Sequence, residues 1–415
     1  MLWSNQDNWL DQKRRINLKD LKHLIFFEKL LENAENELVK KAIADGDKAL
    51  GYSCYFIPEV LLNLPGCFSS RLRAPGTGSI DVGTYYMSNK ICSYTRSILE
   101  RGIEGGFDYL SALFSAETCQ MMHRGHEHFE ILGLVKKQNP KFFMSMFDVP
   151  FVPDEDALEH YTEQIQFYIL DKLREVYGVD TSEEALLNAI KCHNEICRII
   201  TEIGEMRKAE NPVITGYEFH VIQLVSQVCP QKLIKPYLEE TLKELKKRKP
   251  DPEPWFRTRV VVVGSENDDP EFTKLLESCG AMVVADRYCF GSLPSREEIE
   301  VKDNETALQA IARHYLMTSE CPRFMNKERT QGRMDYVKKL YEDYKADGVL
   351  YEQMKFCEYW SYERVIGTSI FAVETGIPCL GIEKEYTLVG AGQLRTRFQA
   401  FVESLEIKKI QGGNK

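Results

Sequence analysis

Hydrophobic positions along the chain switch between two spacings, and the switches predict its elements. From about residue 14 to 46, apolar side chains recur at helical intervals through Leu18, Leu21, Leu24, Ile25, Phe27, Leu30, Leu31, Leu38 and Val39. This predicts an N-terminal helical arm. Ala49 to Phe56 then reads as a strand, and Pro58 suits the first turn of a following helix. Tyr109 to Phe114 and Lys141 to Phe147 read as two more strands, and Asn89 to Arg96 opens a helix ahead of them. Strands that alternate with helices in this way predict a parallel sheet.

Between roughly 155 and 248 the pattern is helical again, starting at Asp154 and Asp156 and running through Leu170, Leu173, Leu186, Leu187, Ile190, Ile196 and Ile199. Pro250, Pro252 and Pro254 occupy alternate positions, which forbids a helix and marks a linker. Beyond it, Arg259 to Ser265, Ala281 to Ala285, Asp347 to Met354 and Ile377 to Ile382 predict four more strands. The expected fold is α/β: two Rossmann-like parallel-sheet domains facing each other across a cleft, with an N-terminal helical arm and a helical insertion. The boundaries are 1–46 for the arm, 47–153 for the first α/β domain, 154–255 for the helical segment and linker, and 256–415 for the second α/β domain.

A chain of 415 residues exceeds one ordinary core, in keeping with that division. A formal net charge of −10 argues against nucleic acid as a partner, because phosphate binding needs clustered Lys and Arg. The one basic block, Lys243 to Lys249, is expected to solvate a helix end. The first residues lack a basic region followed by an apolar run, and no apolar stretch reaches the roughly 18 residues that span a bilayer. A cytoplasmic protein without membrane contact is the expectation.

The twelve cysteines change the picture. Cys54, Cys119, Cys289 and Cys357 fall at or just past the carboxyl ends of predicted strands, where open α/β sheets bind ligands. Cys92, at a helix entry, and Cys321, in a loop, could reach the same place. Cys192, Cys197 and Cys229 lie in the helical stretch and read as core thiols. No paired Cys-x-x-Cys knuckle of a zinc ribbon occurs. Dispersed thiolates suit an iron–sulfur cluster, and scattered core thiols remain the alternative.

Several segments carry a resemblance. Gly51 to Glu59, Ile91-Cys92-Ser93-Tyr94-Thr95-Arg96, Ala116-Glu117-Thr118-Cys119, Lys355-Phe356-Cys357-Glu358 and Gly392-Gln393-Leu394-Arg395-Thr396-Arg397 resemble the (R)-2-hydroxyacyl-CoA dehydratase and benzoyl-CoA reductase superfamily. The resemblance implies that Cys92, Cys119 and Cys357 hold a [4Fe-4S] cluster between the two domains of an oxygen-sensitive enzyme. It implies a separate ATP-hydrolysing iron–sulfur activator that supplies one low-potential electron. It also implies an acyl-CoA substrate, dehydrated through a ketyl radical, and a homodimer or a heterodimer with a homologous subunit.

The chain departs from the dehydratase pattern in two respects. Tyr55 and the stretch Arg71-Leu72-Arg73-Ala74-Pro75 stand where dehydratase catalytic subunits place a small hydroxyl residue and an acidic one. Cys54, Cys289 and Cys321 are additional thiols, and this resembles the double-cubane [8Fe-9S] proteins of the superfamily, which reduce small molecules. Three readings follow: a dehydratase-type component, a double-cubane reductase, and a non-catalytic partner subunit bearing a cluster.

Lesser signals complete the reading. His123, His126 and His128 are expected on a solvated helix start. Gly390-Ala391-Gly392 with Arg395 and Arg397 could lodge a CoA phosphate or simply cap a helix. Gly264-Ser265-Glu266-Asn267 lacks the G-x-G-x-x-G spacing of a dinucleotide site.

Overall fold

The computed structural model describes residues 21–292, 297–388 and 390–412. It contains two four-stranded, wholly parallel sheets, as the alternation of strand and helix predicts. The first comprises β1 (Lys48–Tyr52), β2 (Cys67–Arg71), β3 (Ala112–Glu117) and β4 (Phe143–Asp148), in spatial order β2-β1-β3-β4. The second comprises β5 (Thr258–Gly264), β6 (Ala281–Tyr288), β7 (Gly348–Met354) and β8 (Cys379–Lys384), in order β6-β5-β7-β8. The strand order is therefore the same in both, and each reverses direction of growth between its first and third strands.

The period of two along each strand explains the layering. Val260 and Val262 enter one apolar cluster with the helices Pro270–Glu277 and Ala391–Gly412, whereas Val261 and Val263 enter another with the helix Lys327–Asp343. Helices on both faces bury β5 completely, which is why it carries a run of four valines. Each such side chain removed from water is worth about 1.5–3 kcal/mol.

On the first sheet, Leu50, Tyr52, Ala112 and Phe114 face one cluster, and Ala49, Phe68 and Leu113 face the other. The first of these clusters also contains Ile299 to Phe324, which follow β6 in sequence. The helix Ala307–Met317 in that stretch packs against the helix Glu155–Ile165. Chain from the second half thus helps to cover the first sheet. The long helices Glu183–Glu205, Gly216–Val228 and Gln231–Leu245 form a further layer with the helix Leu24–Leu31.

Several elements differ from expectation. The described part of the N-terminal arm is two short helices, Leu24–Leu31 and Glu37–Ala44, rather than one run; Leu18 lies outside the described residues. Asn36 breaks it, because its side chain accepts from the Leu38 and Val39 amides and caps the second helix. β1 ends at Tyr52, so Cys54 sits in the loop, and Pro58 leads into a single 3-10 turn, Glu59–Asn63. β2 was not expected at all. Its sequence Cys-Phe-Ser-Ser-Arg has no apolar run, yet all five residues are buried at the sheet edge.

Candidate metal centre

Six cysteines are delivered by junctions around the two sheets. Cys54 lies in the loop after β1, Cys92 caps the helix Ser93–Ile103, and Cys119 caps the helix Gln120–Ile131 after β3. Cys289 follows β6 directly, Cys321 follows the helix Ala307–Met317, and Cys357 caps the helix Glu358–Val365 after β7. The residue before Cys357, Phe356, has φ of 67°. A left-handed aromatic residue costs on the order of 1–3 kcal/mol and persists only where its surroundings hold it. Here the strained turn closes with the Cys357 amide donating to Met354 O at 2.9 Å, which fixes where the thiol emerges.

The thiols influence one another as one connected group. Burial pushes Cys119 up to about 12, and the Cys92 and Cys54 sulfurs push the same way. Cys357 is raised well above the usual thiol range by burial and then by Cys119 and Cys92. Cys92, Cys119 and Cys357 also pack against one apolar cluster. The group continues from Cys119 to Cys54 and from Cys357 to Cys289, with Cys321 between them. Cys289 is raised by burial, by the Glu266 carboxylate, and by Cys321 and Cys357. Burial pushes Cys321 up to about 11, with a further push from Cys54. Cys54 and Cys321 share another apolar cluster.

Of the six cysteines Cys92 is buried and the other five are half-buried, and their surroundings favour the protonated thiol. A bound metal would reverse this, because a coordinating thiol is deprotonated outright. Among the described residues no three His, Cys, Asp or Glu side chains converge as chelators of a single metal ion. Thiolates on separate corners of a cubane stand further apart than ligands of one ion, so the donor set fits a cluster better than a mononuclear site.

The surrounding groups suit sulfur that carries negative charge. Thr118 Oγ1 lies 3.2 Å from Cys54 Sγ, and Thr95 Oγ1 lies 3.2 Å from Cys92 Sγ. The Trp360 indole donates to Cys289 Sγ at 3.1 Å. Arg71, buried at the end of β2, acts on Cys54 and Cys289, and Arg323 acts on Cys321 and Cys54. Arg71 donates to Gln227 Oε1 at 2.9 Å, pairs with Glu266 at 3.4 Å and stacks over Phe290 at 4.0 Å. Burial pushes the Glu266 carboxyl up to about 7, against the pull of Arg71. Arg323 reaches back to the end of β4, donating to Pro150 O at 2.7 Å and also to Val149 O.

Polar contacts also tie residues that follow β2 to residues that follow β5 and β8. Arg73 pairs with Asp268 at 3.3 Å and donates to Asp268 O at 2.7 Å. The Tyr386 hydroxyl donates to Asp268 Oδ2 at 2.7 Å and accepts from the Ala74 amide at 3.0 Å. Behind β7, the fully buried Glu352 accepts from the Ser265 amide at 2.9 Å. A Cβ on Gly264 would stand 2.3 Å from Glu352 Oε2, so only glycine admits that carboxylate.

Other candidates lie elsewhere. Arg395 and Arg397 are exposed on the last helix, donating to Ser278 Oγ at 3.1 Å and Gly381 O at 2.7 Å. Neither is among the groups that act on the six thiols. Cys197 and Cys229 are buried as expected, but Cys192 is exposed. It lies on the helix Glu183–Glu205 outside the buried stripe through Leu186, Ala189, His193 and Ile200. His126 and His128 are buried, not solvated. Gly125 presses their helix against the Thr95 methyl, where a Cβ would stand 2.7 Å away, and His126 Nδ1 bonds Ser115 Oγ beneath it. Sequence reasoning gave no role to Arg71, Glu266, Arg323 or Trp360.

The family model for the 2-hydroxyglutaryl-CoA dehydratase D-component matches residues 54–405, from the first of the six cysteines almost to the end of the last helix. The chain belongs to that family. It is 23% identical to the (R)-phenyllactyl-CoA dehydratase beta subunit of Clostridium sporogenes, over 91% of this chain and 97% of the relative. It is 22% identical to one of the subunits of benzoyl-CoA reductase from Thauera aromatica, over 75% and 79%. The beta subunit of lactoyl-CoA dehydratase from Anaerotignum propionicum is 23% identical, over 88% and 95%. Among the described residues no helix is long and apolar enough to cross a membrane.

Proposed function

We propose that this chain is an iron–sulfur component of a 2-hydroxyacyl-CoA dehydratase or benzoyl-CoA reductase-type system. Cys92, Cys119 and Cys357 would hold a [4Fe-4S] cluster. The observation that carries the reading is that these three thiols, which come from separate helix starts around both sheets, pack against one apolar cluster. Membership of a family whose members carry iron–sulfur clusters supports it. Such a cluster, when bound, supplies one-electron chemistry that side chains alone lack.

The chain's own residues would tune and shelter that centre. Thr95 and Thr118 offer hydroxyls to sulfur, and the buried guanidiniums of Arg71 and Arg323 offset accumulated negative charge. Hydrogen bonds to sulfur and low solvent exposure are the levers by which a protein sets cluster potential. The electron would come from an ATP-hydrolysing activator. The relatives are named as subunits, which supports a partner subunit here. Arg395 and Arg397, exposed in the first turns of the last helix, are the proposed contacts for the phosphates of an acyl-CoA.

A second reading has its own observation. Cys54, Cys289 and Cys321 join the first three thiols in one connected group, and six thiols are the number that two bridged cubanes require. This favours a double-cubane [8Fe-9S] reductase of small molecules. Iron and acid-labile sulfide counted per chain after anaerobic purification test both. About eight irons support the paired cubanes and about four the single cluster. An iron-free protein that is folded and inactive would remove both readings.

A further inference from the structure

A second group of reactive side chains, none of them among the six thiols, lies on the helix Glu183–Glu205 and in the turn Glu59–Asn63. His193 and Cys197 are one helical turn apart on its buried face. His193 Nε2 is 3.2 Å from Cys197 Sγ, and His193 Nδ1 is 2.7 Å from Glu59 Oε1. The carboxylate is fixed in turn. Glu59 Oε2 accepts from Asn63 Nδ2 at 2.8 Å and from Gln231 Nε2 at 3.0 Å. The order thiol, imidazole, carboxylate is the arrangement in which a base orients and activates a nucleophile. The three do not converge as ligands of one ion.

These residues open on a cavity of about 50 Å³ lined by Tyr52, Glu59, His193, Cys197, Gln223 and Gln231, among others. A space of that size holds a few water-sized groups and no more. Gln223 is 2% exposed, and its Oε1 has no partner among the described residues; Gln231 Oε1 is likewise unpartnered. Orphaned buried acceptors beside a cavity call for a small ligand that donates O–H bonds. Burial alone would lower the His193 pKa. The Cys197 sulfur and the Glu59 carboxylate instead hold it well above the ordinary imidazole value.

We propose that Cys197 is a thiol poised by His193 and Glu59 to react with hydrogen peroxide admitted to this cavity. Peroxide fits the volume, donates two O–H bonds to the two acceptors, and carries an electrophilic oxygen. The Cys197 thiolate attacks one peroxide oxygen, so that an S–O bond forms as the O–O bond breaks. Sulfur is oxidised to the sulfenic acid and peroxide is reduced. The proton on His193 passes to the departing hydroxide and yields water. The site does not depend on the cluster reading.

The test uses reduced, anaerobic, cluster-loaded protein with an iron chelator present. One equivalent of peroxide is added and then removed with catalase. The protein is unfolded in dimedone, and the adducts are located by peptide mass spectrometry. Cys192, exposed on the same helix, is the internal comparison. The expected result is Cys197 labelled at least roughly tenfold faster than Cys192. His193→Asn and Glu59→Gln should each bring Cys197 towards the Cys192 rate. Equal labelling of the two cysteines in the native protein overturns the proposal, and so does unchanged Cys197 labelling in both variants. If neither variant folds, the ratio in the native protein decides.

Discussion

The two sheets share a strand order, and comparing equivalent positions separates what the fold supplies from what the sequence adds. After the third strand the two agree: Cys119 and Cys357 each cap the next helix. Two residues past the first strand they differ, with Cys54 beyond Tyr52 but Glu266 beyond Gly264. At the second strand they differ again, since β2 ends in Arg71 whereas β6 is followed by Cys289. The gap between first and third strands is the topological switch point, where open parallel sheets accept ligands. One architecture thus offers matching stations twice. The matched thiols belong to the proposed cluster, while the unmatched stations bring a carboxylate and a guanidinium into contact across the sheets.

The largest effects should come at the matched pair. Cys119→Ala and Cys357→Ala should each remove the cluster they hold, leaving iron near background if it is the one cluster and about four per chain if two cubanes are present, with far-ultraviolet circular dichroism unchanged. Full iron retention in one of them would break the equivalence of the two stations. At the unmatched stations, Cys54→Ala or Cys289→Ala should halve the iron, from about eight to about four per chain, if two cubanes are present. With a single cluster, iron stays unchanged.

Arg71→Gln should destabilise the protein by roughly 3–5 kcal/mol, because it strips a buried partner from Glu266. Chemical denaturation measures this, and Arg71→Gln with Glu266→Gln should recover part of the loss. The smallest effect concerns the helices after the third strands. One buries the neutral His126; the other buries Glu363 between Arg287 at 2.9 Å and Arg333 at 3.0 Å. Burial lowers His126 to about 3, below the ordinary histidine value of about 6.5. Between those values the unfolded chain binds the extra proton, so stability falls as pH drops through that window. His126→Leu should flatten this acid limb in melting curves recorded from pH 7 to pH 3.

Much of this was legible in the chain. Four consecutive valines before Gly264, and apolar runs that end in cysteine, marked strands and their carboxyl ends. The thiol stations followed from punctuation by proline, glycine and helix starts. What stayed hidden was non-local or facially ambiguous. Arg71 and Glu266 are 195 residues apart, and β2, which carries Arg71, contains two serines and an arginine that conceal it as a strand. Cys192 differs from the buried His193 by one position, and reading it as a core thiol put it on the wrong face of the helix. The return of Ile299 to Phe324 to the first sheet has no local signature at all. Glu59 meets His193 across 134 residues, so the second reactive group was equally invisible.

The central claim is that Cys92, Cys119 and Cys357 surround inorganic iron where the two sheets meet. Anomalous diffraction at the iron edge, from crystals grown without oxygen, tests it most directly. The account predicts iron density bounded by those three sulfurs. Iron density bound elsewhere on the chain, with the three thiols free, would contradict it.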